Sequence, residues 1–585
     1  MEFFNKLFSF VLFELFPLPK KMLLTIREEG IKTFFLKTLE FLTVKKQIMQ
    51  FKYRPKISII MPVYNVEEKW LKTAIDSVIN QLYTNWELCI VDDASTVKHI
   101  KDTLNTYAIK DRRIKVGFQN SNQGVSSTSN KAVQAASGEY LALMDHDDEL
   151  TPNALYEIAK VINRENADII YSDEDLVNPD GIFLHSHFKP DFSPDLLLAH
   201  NYITHFLVFK KTLFHEIGGF RSNFDGAQDY DLILRLSEKS DKIYHIPMVL
   251  YHWRQLPTSV SINPESKSTA VKAGQDALKE TLDRRGIQGK VEKINSLGFY
   301  LVRRRLSNHS LITIIIPFKD KSQLLTTCID SILNKTSFQN YEIVCINNNS
   351  TEQKTFDVMN HLQKSDNRLR FVDYNIPFNF SKINNFGVSL AKGDHVVLMN
   401  NDIEIISSDW IDVLLEHSQR EEVGAVGGKL YYPDDTIQHA GVIVGIGGNA
   451  GHSHKYFRRN ENGYLYRLRC VQNISAVTGA LLMVKRKLFE EIGGLDEEYF
   501  SVALNDIDFC LKLRREGYLN VFTPHCEAYH HESASRGYED TPEKKARFKT
   551  ETGYLRERWK DIFEKGDPYY NINLTLERED FSVRN

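Results

Sequence analysis

Cysteine is scarce in this chain: six residues in 585 (Cys89, Cys328, Cys345, Cys470, Cys510, Cys526), with no CxxC pair. That excludes a disulfide scaffold and a zinc ribbon, and it fits a reducing cytosol. Thirty glycines and 17 prolines are too few for a fibrous or linker-dominated protein. Neither charge sign prevails, since 73 Lys+Arg face 77 Asp+Glu for a formal net charge of -4, so there is no global electrostatic footprint for nucleic acid. Long apolar runs are missing as well. Phe3 to Leu18 is interrupted by Lys6, Glu14 and Pro17; it is too short and too charged to span roughly 30 Å of hydrocarbon, and it has no small-residue cleavage site.

What is present points to several folded domains. The chain is 42% hydrophobic, which excludes disorder, and at roughly 150 residues per domain it has room for several cores. Nine of its 35 phenylalanines lie in the first fifty residues, where Lys and Arg outnumber Asp and Glu by eight to five. A second segment there, Lys32 to Val44, spaces Phe35, Leu36, Leu39 and Leu42 near helical period. Residues 1–50 therefore read as an amphipathic helical extension lying at a membrane surface or against a neighbouring domain.

The rest of the chain repeats itself. Ile57-Ser-Ile-Ile-Met-Pro62-Val-Tyr-Asn recurs as Ile312-Thr-Ile-Ile-Ile-Pro317-Phe-Lys-Asp. Each copy reads as a buried strand, an amphipathic helix and a second apolar strand, a βαβ unit that begins a parallel sheet with helices on its faces. Pro62 to Asp147 and Pro317 to Asp402 both span 85 positions, and the pairs Asp92/Asn347, Asp93/Asn348 and Asn130/Asn385 keep the same offset of 255. Two homologous domains follow, 51–300 and 308–550, with a linker around Arg303 to His309 and a C-terminal tail, 551–585, packing on the second domain.

In open α/β sheets ligands gather beyond the carboxyl ends of the strands. There the first copy places Asp145-His146-Asp147-Asp148-Glu149, four carboxylates in five residues. A hard divalent cation, with the phosphates of a nucleotide, relieves such crowding and neutralises a departing diphosphate. An EF-hand competes for this pattern, but the loop glycine is missing. In the second copy, Asn400-Asn401-Asp402-Ile403-Glu404, only the last acidic position of the Asp-x-Asp pattern survives, so weaker metal binding is expected there.

Farther on, Asp229 and Asp506 each open a helix after an Ile-Gly-Gly turn. A carboxylate in a first helical turn is a routine capping feature worth about 0.3–1 kcal/mol; matched places in both copies favour a general base over a hydroxyl. His252 lies 23 residues beyond Asp229, and His530 lies 24 beyond Asp506, a pairing that favours metal or diphosphate contact over a structural role. Domain two also carries an insertion, 104 residues from Asp402 to Asp506 against 82 from Asp147 to Asp229. It contains Gln438-His439-Ala-Gly441 and a glycine-rich run ending in His452 and His454. This reads as an acceptor lid or a flexible loop, with those two histidines solvated rather than metal-bound.

These strings, together with Tyr171-Ser-Asp-Glu-Asp, Gln228-Asp-Tyr-Asp-Leu and Leu250-Tyr-His-Trp-Arg, resemble the bacterial family 2 glycosyltransferases in tandem two-domain form, and the C-terminal Pro568-Tyr-Tyr-Asn stretch is similar to proteins of O-antigen and rhamnose-polysaccharide assembly. The resemblance implies two GT-A domains, α/β and Rossmann-like. It implies a UDP- or dTDP-sugar donor held by Pro62, Tyr64, Asn65, Asp92, Asp93, Asn130 and Asp145, and by Pro317, Asn348, Asn385 and Asn400. Mg²⁺ or Mn²⁺ would sit at Asp145, Asp147 and His252, and at Asp402 and His530, with Asp229 and Asp506 as bases in an inverting transfer. The acceptor would be a glycan or a lipid-linked glycan at the cytoplasmic face of the membrane. Two competitors remain: a sugar nucleotidyltransferase, which wants a glycine-rich basic loop that Val63-Tyr-Asn-Val-Glu-Glu lacks, and a carbohydrate-binding role for domain two.

Overall fold

A computed structural model describes residues 42–256, 264–307, 310–531 and 541–584. Residues 42–50 are helical, and the remainder of the expected amphipathic extension lies outside the described residues. Among the described residues no helix is long and apolar enough to cross a membrane.

The chain divides into two compact units. One comprises the chain up to Ile170 with Phe206–Gly218 and Leu250–Arg254; the other comprises Tyr171–His205, Gly219–Val249 and everything from Gln255 onward.

In the first unit four parallel strands run in the order Ile114–Phe118, Trp86–Asp92, Ile57–Val63, Tyr140–Leu143. Val208–Lys210 then adds antiparallel to Tyr140–Leu143. The central strand is apolar apart from Ser58, whose hydroxyl donates to Glu87, because both of its faces are covered. Pro62 lies past the last residue paired to Tyr140–Leu143, so its missing N–H does not interrupt that ladder.

The second unit repeats the arrangement: Leu369–Asp373, Tyr341–Asn347, Ile312–Phe318 and His395–Met399 are parallel, and Leu481–Lys485 adds antiparallel. Register is preserved between the copies, with Ile57 opposite Trp86 and Tyr140, and Ile312 opposite Tyr341 and His395. Gly138 and Gly393 match too. A Cβ on either would lie 2.5 Å from a backbone carbonyl oxygen, of Lys56 and of Leu311 respectively.

The second unit's sheet continues through Val423–Tyr431, Leu519–His530 and Ile403–Ile405. The segments of the first sequence copy that belong to this unit are tied in by buried polar groups. Asp195, 2% exposed, receives Arg420 at 2.6 Å and the Asn473 amide at 2.8 Å, with Arg304 3.7 Å away. Asp173, wholly buried, accepts from Asn571 Nδ2 at 2.8 Å. The tail follows the helix Pro542–Arg558. Leu574, Tyr570 and Phe581 pack with Ile443, Ile446 and Phe188, and Asp567 accepts from Val444 N and Ser475 Oγ.

Candidate active site

The central strand of each copy ends in the same turn. Asn65 takes a positive φ of 46°, donates its N–H to Ser95 Oγ (2.9 Å) and accepts from Thr96 N (2.8 Å). Asp320 does the same at φ 50° with Ser350 and Thr351. Asp92 and Asn347 are both buried and each accepts from the serine three residues on. Pro62 is half-buried, its carbonyl oxygen 3.0 Å from His146 Nδ1, while Tyr64 is exposed.

The next position explains a departure between the copies. Asp93 accepts from Gln119 Nε2 (2.7 Å), Gln123 N (2.7 Å) and Gly124 N (2.9 Å). Asn348 instead donates its amide to the carbonyl oxygens of Tyr374 and Ile376, both at 2.9 Å. The partners have changed from donors to acceptors, so the carboxylate became an amide.

In the first unit, Asp148 is buried and fully used: it accepts from Tyr251 OH (2.6 Å) and Arg254 N (2.7 Å). Arg254, itself buried, donates to the Asp147 carbonyl oxygen (3.0 Å) and pairs with Glu149, stacking over Trp70. This scaffold leaves Asp145 exposed and Asp147 half-buried. Burial, and then the charge of Asp145, push the Asp147 carboxyl above the usual range, against the pull of His146 and Arg254. His252 stands opposite Glu149 in the antiparallel ladder. Asn130 lies half-buried on the helix Val125–Ala135.

In the second unit, Asp229 sits in the first turn of Gln228–Leu236 and accepts from Asn201 Nδ2 at 2.8 Å. Its neighbour Asp231 is wholly buried between Arg221 and Arg235. The same division holds in Asn505–Arg515. Asp508 is wholly buried against Arg558 (3.0 Å) and Trp559 Nε1 (2.9 Å), whereas Asp506 lines a cleft.

That cleft has a volume of about 680 Å³. Pro317, Asn348, Asn400, Asp402, Asp506 and His530 all line it, together with His452, Thr478 and Gly479. Asn385 is not among its lining residues. The Asn385 amide is engaged with the Leu495 backbone, donating to its oxygen (2.8 Å) and accepting from its nitrogen (3.0 Å).

Antiparallel pairing sets Ile403 opposite His530, which brings His530 Nε2 to 3.2 Å from Asp402 Oδ1 and 3.4 Å from the Asn400 amide. Gln438 Oε1 accepts from His530 Nδ1 at 2.6 Å. In the neutral ring this leaves Nε2 as a lone pair aimed at a carboxylate. A cation between them satisfies both groups, so an imidazole and a carboxylate, with an amide nearby, fit a divalent metal.

Asp506 accepts from Gly479 N (2.8 Å) and Ile507 N (2.9 Å), yet burial raises its carboxyl above the ordinary value. Gly479 approaches closely, since a Cβ there would lie 3.3 Å from that of Asp506.

The residues that hold this chemistry escaped the sequence reading: Gln438 on His530, Thr478 and Gly479 beside Asp506, and Asn201 on Asp229. Only Gln438 stood in a flagged motif. The expectation that His452 and His454 are solvated fails for His454, which is 1% exposed, accepts from Tyr464 N (2.9 Å) and stacks on Phe581. His452 is half-buried.

Two α/β units with acidic residues beyond their strand ends define a nucleotide-sugar transferase type of fold. The chain belongs to the glycosyl transferase family 2: the family model matches residues 58–227 and again 313–493. It is 45% identical to an uncharacterized protein of Sinorhizobium fredii, over 90% of this chain and 58% of that protein. It is 37% identical to the O-antigen biosynthesis protein RfbC of Myxococcus xanthus, over 92% of this chain and 42% of that one. The chain thus spans about half the length of these relatives. Among solved structures, S. aureus TarS 1–349 in complex with UDP-GlcNAc aligns with 39% of this chain and 67% of its own, at 21% identity and a TM-score of 0.33.

Proposed function

We propose that the chain transfers glycosyl groups from nucleotide-activated sugars, UDP- or dTDP-linked, to hydroxyls of a growing cell-surface polysaccharide or lipid-linked glycan, with both sequence copies catalytic. The observation that carries this reading is the second cleft. It combines a raised-pKa carboxylate, Asp506, with a carboxylate–imidazole pair, Asp402 and His530, suited to a divalent cation. The O-antigen role of the Myxococcus relative supports the polymer as acceptor.

In this mechanism Asp506 takes the proton of the acceptor hydroxyl as the oxygen attacks the anomeric carbon, and the configuration inverts. Gly479 and Ile507 N–H groups hold the carboxylate in place for that transfer. Asp402 and His530, the latter oriented by Gln438, would hold Mg²⁺ or Mn²⁺, which supplies charge neutralisation for the departing diphosphate. Asn400 lies beside this pair as a neutral oxygen donor. By sequence correspondence with the second copy, Asp229 is a proposed base of the first copy, and Asp145, Asp147 and His252 are its proposed metal-binding residues. Residues 1–50 would bring the enzyme to the cytoplasmic membrane surface.

A panel of radiolabelled UDP- and dTDP-sugars, assayed with Mg²⁺ or Mn²⁺ on Asp147→Ala, Asp402→Ala and the doubly substituted protein, tests the reading. Each single variant should lose one transfer and keep the other. Transfer that persists in the double variant would refute it, and diphosphate release from a nucleoside triphosphate would favour a nucleotidyltransferase instead.

A further inference from the structure

Beside the cleft of the second copy lies a histidine pair: His452 lines the cleft and His439 packs behind it. His439 is wholly buried, and its Nε2 faces two backbone N–H groups, Gly441 at 3.3 Å and Thr478 at 3.4 Å. A backbone N–H only donates, so Nε2 must be the lone pair of this ring and Nδ1 must carry the proton. That Nδ1 lies 2.8 Å from Nδ1 of His452. His452 Nδ1 is therefore the acceptor, and its own proton resides on Nε2. Burial keeps both rings uncharged, pushing His439 well down and His452 down to about 4. The rings cross edge to face, with centroids 5.0 Å apart.

The backbone around His452 is fixed from the C-terminal tail, since its N–H donates to Glu579 Oε1 (3.0 Å) and the His454 N–H donates to the Glu579 carbonyl oxygen (2.8 Å). His452 lines the same cleft as Asp402, Asp506 and His530.

We propose that His452 is a substrate-binding residue of the second cleft, its Nε2–H donating to a sugar hydroxyl, and that His439 is the positioning residue that fixes this tautomer. The inference rests on the reading above that this cleft takes a nucleotide-sugar and a glycan acceptor. A neutral N–H matches a neutral hydroxyl, whereas the anionic diphosphate would be matched by the divalent cation that Asp402 and His530 would hold. The hydroxyl belongs either to the donor sugar or to the acceptor, and kinetics separates the two.

The test uses the full chain with Asp147→Ala silencing the first copy. His452→Phe, which keeps the ring and removes the N–H, should raise KM for either the nucleotide-sugar or the acceptor glycan about 3- to 10-fold, the worth of one neutral hydrogen bond. If the donor is the partner, equilibrium binding of that nucleotide-sugar weakens by the same factor while binding of UDP or dTDP alone does not. His439→Leu should reproduce much of the effect, and His439→Gln, whose amide both accepts and donates, should restore most of it. Selective ¹⁵N-histidine spectra of the protein, with His452 assigned from the His452→Phe variant, read the relay without any turnover: a proton on Nε2 and none on Nδ1 is expected. A proton on Nδ1 overturns the relay. Unchanged constants in a normally folded His452→Phe protein overturn the sugar contact. If the parent second cleft neither binds nor transfers any sugar of the panel, the transfer reading fails and the sugar contact with it, while the spectra still decide the relay.

Discussion

Asp506→Asn separates catalysis from stability in this cleft. The new side chain has one accepting oxygen where the carboxylate had two, so either Gly479 N or Ile507 N loses its partner, at about 1–3 kcal/mol. A second effect opposes this one. The carboxyl is raised in the folded protein by burial, so its charge costs stability above the folded pKa, and that cost disappears below the unfolded value. Asparagine carries no charge and escapes the cost. The net change should stay within about 1 kcal/mol, a shift of only a few degrees in Tm for units of this size. Loss of a general base, by contrast, removes about 10²- to 10⁴-fold in rate, or about 3–5 kcal/mol at the barrier. Transfer by the second cleft, measured in the Asp147→Ala background, should therefore collapse while nucleotide-sugar binding and Tm hold. In the parent protein the rate should fall as pH drops through a limb above the usual carboxylate range. An Asp506→Asn protein that keeps more than about a tenth of the turnover would refute the assignment.

Other substitutions probe the frame. Asp195→Ala leaves Arg420 and Arg304 without their buried carboxylate and should cost about 3–5 kcal/mol in denaturant unfolding. Burial works against the Asp195 charge, but those guanidinium groups hold its carboxyl well below the ordinary range; its contribution should be present above the unfolded pKa and lost as pH falls toward the folded one. Asn348→Asp would turn a carboxylate toward two carbonyl oxygens and should destabilise by about 2–3 kcal/mol, visible in chemical melts. Chelation with EDTA should abolish transfer by both copies and Mn²⁺ should restore it, with transfer by the second copy not restored in Asp402→Ala.

Much of the fold was legible because its causes are local. The apolar runs at Ile57 and Ile312, each ended by proline and followed by an amphipathic helix, dictate a buried parallel strand wherever they occur, and the constant offset of 255 made the copies' equal register readable in advance. The polar ends of the strands were legible for the same reason: Asp402 stands just before Ile403–Ile405 and His530 ends Leu519–His530, two strands that pair with one another. What sequence left open was which of two similar residues faces the cleft. Asp506 and Asp508 share one helical turn and one chemical type, but Arg558 and Trp559, about fifty positions away, claim Asp508 and leave Asp506 to the solvent side. His452 ends the short strand Ala450–His452 and His454 follows in the turn, yet Phe581 covers His454 while His439 orients His452. Asn348 replaces an aspartate because its partners are carbonyls, not amides. A residue's type and its element follow from neighbours in the chain; its charge, tautomer and availability follow from neighbours in space, and here those come from other segments of the chain, as with Arg558 on Asp508 and Phe581 on His454.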